Sequence, residues 1–234
     1  MMRNKVKYAV IIPALNEEAS IANVLSHIPE NFRELIVVAD NGSTDETPQI
    51  AYNLKAQVVF ARQKGYGSAC LSGIACAQQF DPEIYIFLDA DFSDYPEDMV
   101  EIVNALEKNN LDLVIGSRNL GKAETGALLP QAVFGNWLAT WLMWLFFDFK
   151  FTDLGPFRAI RAEALNKINM QDKNFGWTVE MQIKALKLKL RVGEVAVRYR
   201  KRIGVSKITG TLNGTIMAGY KIIWTIFRYG IFRK

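Results

Sequence analysis

A chain of 234 residues, half of them hydrophobic and 22% charged, can bury one substantial core and is not a disordered polymer. Its two cysteines, Cys70 and Cys76, have no histidines at zinc-ligand spacing, which excludes a disulfide framework and points to free thiols in a reducing compartment. Net charge is only +4, yet residues 191–234 carry ten Lys or Arg against the single acid Glu194, leaving residues 1–190 net acidic. A basic tail of this kind suits nucleic acid, anionic lipid or phosphate-bearing substrates.

Residues 1–12 open with charge and continue into a very short apolar run, which reads as a first strand over 6–12 and not as a signal peptide; a cytoplasmic location is expected. Pro13 ends that strand, and a helix follows from Asn16 to Ser26. Residues 34–39 (ELIVVA) predict a second strand, then the polar turn Asp40–Asp45 and a helix through Leu54, with Thr44 or Asp45 as its cap. Residues 57–61 predict a third strand. Gly65 and Gly67 then open a helix of small residues over 68–79. Residues 84–88 (IYIFL) predict a fourth strand, Pro96 starts a helix to Asn109, and 111–115 (LDLVI) predict a fifth strand. Continuous apolar strands alternating with helices imply an α/β domain with a mostly parallel sheet covered on both faces. In such sheets ligands bind beyond the carboxyl ends of the strands. Asn16–Glu17, Asp40–Asn41 and Asp89–Asp91 all follow strands and are expected on one edge.

The sharpest chemical feature is Asp89 and Asp91, one residue apart with Ala90 between them, directly after IYIFL. Two carboxylates so close repel unless a cation neutralises them. A hard divalent ion, Mg²⁺ or Mn²⁺, shared with substrate phosphates meets that need, and Ser93 could add a ligand. A solvated turn before a helix is the plain alternative. The Asp40–Asp45 turn, with Asp40 and Ser43, offers acceptors for a base and ribose, although it would also serve as a simple helix cap. Lys64-Gly65-Tyr66-Gly67-Ser68 could cradle phosphate at a helix N-terminus, but it is neither a Walker A loop nor a dinucleotide fingerprint. The cluster from Arg198 to Lys207 suits an anion through planar guanidinium forks and a lysine point charge. His27, away from these strand ends, reads as structural.

Taken together, IIPALNEEASI, VVADNGSTDET, GYGSACLSGI, LDADFSDYPEDM, GSRN, TDLGPFRAIR, GWTVEMQ and RIGVSK resemble family 2 glycosyltransferases with the Rossmann-like GT-A fold. Within that family the chain is most similar to the dolichyl- and polyprenyl-phosphate sugar synthases, over residues 10–207. The resemblance implies a nucleotide-sugar donor, UDP- or GDP-linked, transferred with inversion to a lipid-phosphate acceptor. It implies that Pro13, Asn16, Glu17 and Asp40 hold the nucleotide, and that Asp89 and Asp91 bind metal and diphosphate. Arg118 would meet the acceptor phosphate, Asp153 and Glu180 would line the sugar pocket, and Arg202 and Lys207 would close over the diphosphate. A lipid phosphate is already an anion and needs little general-base help; a hydroxyl acceptor would need a base, with Asp153 the candidate. Other readings are a glycolipid hydroxyl acceptor, a nucleotidyltransferase and a non-catalytic nucleic-acid module. The paired acids oppose the last, so no nucleic-acid partner is expected.

Between Glu124 and Asp148 the chain carries no charge, and its length alone would allow a membrane span. A single span would put Arg118 and Asp153, assigned to one site, on opposite faces of a bilayer. The expectation is instead an interfacial helix over 127–149 with Trp137, Trp141 and Trp144 at the boundary, inside a catalytic domain of residues 1–210. A helix buried by the domain or by a second copy of the chain is the alternative, so a homo-oligomer stays open. Residues 211–234 form a basic amphipathic tail, suited to peripheral attachment at the inner face of a membrane. One departure stands out: the resembled synthases bring basic residues on the interfacial helix to the acceptor, and residues 128–147 have none.

Overall fold

A computed structural model describes residues 6–204 and 212–231. Seven strands form one sheet: β1 (Tyr8–Ala14), β2 (Ile36–Asp40), β3 (Gln57–Phe60), β4 (Ile84–Phe87), β5 (Leu113–Ser117), β6 (Arg158–Arg161) and β7 (Val192–Ala196). Their order is β3-β2-β1-β4-β6-β5-β7. All neighbours run parallel except β6, which is antiparallel to both β4 and β5. The sheet is thus mostly parallel, as expected for a GT-A-like fold.

Alternation along the strands divides the core in two. Val10, Ile12, Ile84 and Ile86 face one layer with α1 (Ile21–His27), α2 (Thr47–Asn53) and α4 (Met99–Lys108). Ile11, Tyr85 and Phe87 face the other, with α3 (Tyr66–Ala77), α5 (Pro130–Phe147), α6 (Ala162–Ile168), α7 (Trp177–Lys187) and α8 (Leu212–Ile231). Strands buried on both faces are why the sequence reads as continuous apolar runs there.

Two expectations change. Pro13 does not end β1 but lies within it, opposite Ala39 of β2. Val10 N–H donates to Leu35 of the β2 side, so Pro13, three residues on, turns its nitrogen toward β4, which has already ended at Phe87 opposite Ile11. No ladder bond is lost. The first helix begins at Ile21 instead of Asn16, because Asn16 adopts the left-handed conformation at φ 52°. Residues 127–149 contain a single unbroken helix, α5, and among the described residues no helix is long and apolar enough to cross a membrane. Ala139, Leu142 and Met143 of α5 are buried, while Phe134, Trp137, Trp141, Trp144 and Leu145 are exposed. The tail helix α8 packs on α5 and α7, with Ile226 in the core and Phe227 edge-on to Phe146 of α5 at 5.3 Å.

β1 and β4 are adjacent; the chain builds β2 and β3 outward from β1, then returns to β4 and places β5, β6 and β7 on the other side. This reversal of strand order opens a crevice at the carboxyl ends of β1 and β4.

Candidate active site

A cleft of about 370 Å³ lies at that crevice. Pro13, Glu17, Lys64, Gly65, Asp89, Ala90, Asp91 and Arg202, all candidates from the sequence, line it together. Leu15, Asn41, Tyr66, Asn174 and Phe175 join them. The last two come from the loop before α7, a stretch with no motif that marks it.

The acids sit where β4 ends. Asp91 Oδ1 accepts from the Ser93 backbone N–H at 2.9 Å and its hydroxyl at 2.5 Å, so Ser93 orients Asp91. Asp91 Oδ2 lies 3.1 Å from Arg202 Nη1, and Arg202 Nη2 lies 3.0 Å from Glu17 Oε1. Among the described residues the buried Arg202 Nε has no hydrogen-bond partner. Tyr66 donates its hydroxyl to Asp89 Oδ1 at 3.1 Å. Burial and the neighbouring Asp91 charge push the Asp89 carboxyl up to about 7, against the pull of Tyr66 and Arg202. Asp94, behind them, is raised well above the carboxylate range by burial and by Asp89 and Asp91, and its Oδ1 has no hydrogen-bond partner among the described residues. Three crowded acids and one orphaned oxygen make a locus short of positive charge. The donor set is all oxygen, which fits Mg²⁺ or Mn²⁺. Among the described residues no three His, Cys, Asp or Glu groups converge on a metal position, so water and phosphate oxygens would complete the shell.

A strap covers the acids. Arg200 N–H donates to Ser93 O at 2.9 Å and Ile203 N–H to Asp91 O at 3.0 Å, laying residues 200–203 along the acidic turn. The Arg200 guanidinium stacks between Phe92 at 3.7 Å and Tyr95 at 3.6 Å. Phe92 holds φ 60°, a conformation rare for a bulky residue, and this aims its ring at Arg200. Arg198 is anchored outside the cleft on Asp98, at 2.5 Å.

Asn16, Asp40 and Ser43 do not line the cleft; they knit the two turns that flank it. Asn16 N–H donates to Ser43 Oγ at 2.9 Å, Thr44 N–H to Asn16 Oδ1 at 2.8 Å, and Asp40 Oδ2 accepts from Gly42 N–H at 3.0 Å. The Lys64–Ser68 segment also differs from a phosphate cradle. Asn41 exchanges two hydrogen bonds with Gly65, at 2.8 and 3.0 Å, and Ser68 N–H donates to Lys173 O at 2.9 Å. A Cβ at Gly65 would meet Lys173 O at 2.2 Å, and one at Gly67 would meet Asp172 O at 2.1 Å. Those glycines admit the loop before α7, and the helix N-terminus is capped by protein.

Arg118 and Asp153 meet as a bidentate pair, Nε to Oδ2 at 2.8 Å and Nη2 to Oδ1 at 2.7 Å, with the Arg118 N–H donating to Oδ2 at 2.8 Å. Burial opposes the Arg118 charge, but Asp153 outweighs it and holds the guanidinium more firmly protonated than usual. The Arg118 guanidinium also lies over the Tyr199 ring at 5.1 Å, and Tyr199 bridges to the backbone of Asp94. Glu180, expected at the sugar, is elsewhere. It is buried on α7, where it binds the Gln171 and Asp172 N–H groups, Lys184 and the Tyr229 hydroxyl. Its bonds to Lys184 and to Tyr229 of α8 hold it on the α8 side of α7, and it does not line the cleft. Lys207 lies outside the described residues.

The family model for glycosyl transferase family 2 matches residues 9–168. An uncharacterised glycosyltransferase of Mycobacterium tuberculosis is 36% identical over 211 residues, covering 89% of this chain and 93% of that protein. UDP-N-acetylglucosamine–dolichyl-phosphate N-acetylglucosaminyltransferase of Methanococcus voltae is 27% identical over 248 residues, covering 96% of each. Among solved structures, glucosyl-3-phosphoglycerate synthase of Mycobacterium tuberculosis, in complex with Mn²⁺, UDP and glucosyl-3-phosphoglycerate, superposes with a TM-score of 0.77 at 21% identity, covering 98% of this chain and 81% of that one. With its acidic turn at the strand-order reversal and a family match across more than half its length, this chain belongs to glycosyl transferase family 2.

Proposed function

We propose that the chain transfers a sugar from a UDP- or GDP-sugar to a polyprenyl phosphate at a membrane surface, with inversion and with a divalent ion. The carrying observation is the cleft itself, where Asp89, Asp91, Glu17 and Arg202 converge at the crevice between β1 and β4. Asp89 and Asp91 would hold Mg²⁺ or Mn²⁺ together with the donor diphosphate, and Ser93 keeps Asp91 oriented. A bound divalent ion stabilises negative charge on the departing nucleoside diphosphate. Arg202 leaves Asp91 and Glu17 to bind that same diphosphate, and its Nε, which has no partner among the described residues, gives it a further donor. Lys207 is assigned the same duty from the sequence. Tyr66 keeps its proton and orients Asp89.

Two observations favour a lipid phosphate over a hydroxyl acceptor. Asp153, the base a hydroxyl would require, is buried and has both oxygens engaged by Arg118. A phosphate nucleophile is already charged, and Arg118 suits it as a binding group. The exposed aromatic stripe of α5 also adjoins this pair: Asn136 donates to Thr152 O at 3.0 Å and accepts from Leu154 N–H at 2.9 Å, on either side of Asp153. The Methanococcus voltae relative is named for a dolichyl-phosphate acceptor. A second reading, a small phosphate-bearing acceptor, follows from the phosphoglycerate-bound neighbours. Labelled donor offered with polyprenyl phosphate in vesicles, or with 3-phosphoglycerate in solution, separates them. Label in the organic phase supports the lipid; transfer only to phosphoglycerate overturns it.

A further inference from the structure

Helix α8 reaches the nucleotide cleft through one loop, residues 171–176. Two buried carboxylates hold that loop by its backbone. Glu180 accepts from Gln171 N–H at 3.1 Å and Asp172 N–H at 2.7 Å. Asp172 in turn accepts from Asn174 N–H at 2.7 Å and Gly176 N–H at 3.1 Å. On its inner side the loop passes Lys173 O to Ser68 N–H and presents Asn174 and Phe175 to the cleft, against the glycine turn that only a Cβ-free backbone permits. On its outer side each carboxylate is bound by α8: Tyr229 donates its hydroxyl to Glu180 at 2.9 Å, and Lys221 lies 3.0 Å from Asp172. A cavity of about 250 Å³ lies between α8 and the loop; these two polar contacts bridge it, and Thr225 of α8 abuts Gly176 at the end of the loop, where an added Cβ would meet its Oγ1 at 2.7 Å.

We infer that Tyr229 and Lys221 are positioning residues, which brace the Asn174–Phe175 wall of the cleft through Glu180 and Asp172 and so set donor affinity from a helix that does not line the donor site. The inference rests on the reading of the cleft as a nucleotide site. It also gives Glu180 a duty in place of the sugar contact expected of it: one carboxylate joins α7, the loop and α8. Without the Tyr229 hydroxyl Glu180 would keep the Lys184 ammonium at 2.7 Å and the two loop N–H groups, so the carboxylate stays in place while its tie to α8 is lost.

The test uses the full chain with Tyr229→Phe and Lys221→Met, and Lys221→Arg as the charge-keeping variant. Amide exchange at Ser68, Gln171 and Asp172 reads the loop with no ligand present, and the Kd of UDP and of GDP, each with Mn²⁺, reads the cleft. Exchange at these amides is expected to rise about tenfold in Tyr229→Phe and Lys221→Met. The Kd of the nucleotide that wild type binds should rise about three- to tenfold, the worth of one hydrogen bond. Lys221→Arg should restore both, and kcat at saturating donor should stay within about twofold, since the loop touches donor and not the reacting atoms. Unchanged exchange overturns the brace, and so does a lowered Tm with wild-type nucleotide affinity. If wild type binds neither nucleotide, the donor reading fails, and exchange alone then decides for or against the brace.

Discussion

Arg202 and Asp91 form an ion pair at 3.1 Å across the cleft, on the carboxylate oxygen that the Ser93 hydroxyl leaves open. The guanidinium therefore stands where a divalent ion would draw on Asp91. Removing it by Arg202→Met should strengthen binding of Mn²⁺ alone, because one competitor for Asp91 is gone. The same change should lower turnover about 10- to 100-fold, because the diphosphate loses a charged donor. Titration of Mn²⁺ followed by paramagnetic resonance, beside an assay of transfer, checks both signs.

Asp89 offers a test by pH. Its carboxyl is pushed from 3.8 up to about 7 by burial and by Asp91, so the folded chain binds a proton there that the unfolded chain does not. The contribution of this group to stability is complete below about pH 4 and is lost as pH rises through about 7. In chelator, wild type should therefore lose several degrees of Tm relative to Asp89→Asn between acid and mildly alkaline pH. Mn²⁺ at alkaline pH should return much of that loss. A wild-type curve parallel to that of the variant would contradict the assignment.

The Arg118–Asp153 pair is buried on the acid's side and bidentate, so breaking it leaves an uncompensated charge. Asp153→Asn should destabilise the chain by about 3 kcal/mol, and Arg118→Lys by less, through loss of the planar fork. Denaturant unfolding of both single variants and the double variant gives the coupling energy directly.

Gly67→Ala places a methyl 2.1 Å from Asp172 O, and backbone cannot give way as a flexible side chain would. A loss of about 2 kcal/mol or more is expected, together with weaker nucleotide binding as the Asn174–Phe175 wall moves. Gly65→Ala adds the strain of φ 135° to the same clash and should be worse. Calorimetric unfolding ranks the two.

Replacing Trp137, Trp141 and Trp144 by Ser removes the three tryptophans of the exposed stripe of α5 without touching its buried side. Partition onto anionic vesicles should fall steeply, by on the order of tenfold per tryptophan that inserts, with Tm little changed. Vesicle sedimentation measures it.

Much of the sheet can be read in the chain, since β1, β2, β4 and β5 are apolar on both faces and each is followed by turn chemistry. The strand-end groups Glu17, Asp89 and Asp91 fall where the parallel-sheet rule puts them. The antiparallel β6 escapes, because RAIR is four residues long with an arginine at each end, and Arg158 is buried only by bonding carbonyls such as Thr178 O at 3.0 Å. Short segments with charged ends carry no periodicity to find. Glu180 misleads for a different reason: its motif fixes its place in the chain, while the direction of its carboxylate depends on Tyr229, 49 residues away. The glycines of Gly65-Tyr66-Gly67 announce close backbone approach but not what approaches; that is a loop, and Asn174 and Phe175 on it have no local signature. Asp40 and Ser43 look like ligands because helix caps and ligand sets use the same polar groups, and here the turn consumes them.

Asp89 and Asp91 are read as a metal-assisted nucleotide-sugar site, and calorimetric titration of a panel of UDP- and GDP-sugars, with Mn²⁺ and again with chelator, tests that reading. One donor should bind only with the metal, and Asp91→Ala should abolish this binding while the chain stays folded. A folded wild-type chain that binds no donor in Mn²⁺, or an Asp91→Ala chain that binds as well as wild type, would contradict it.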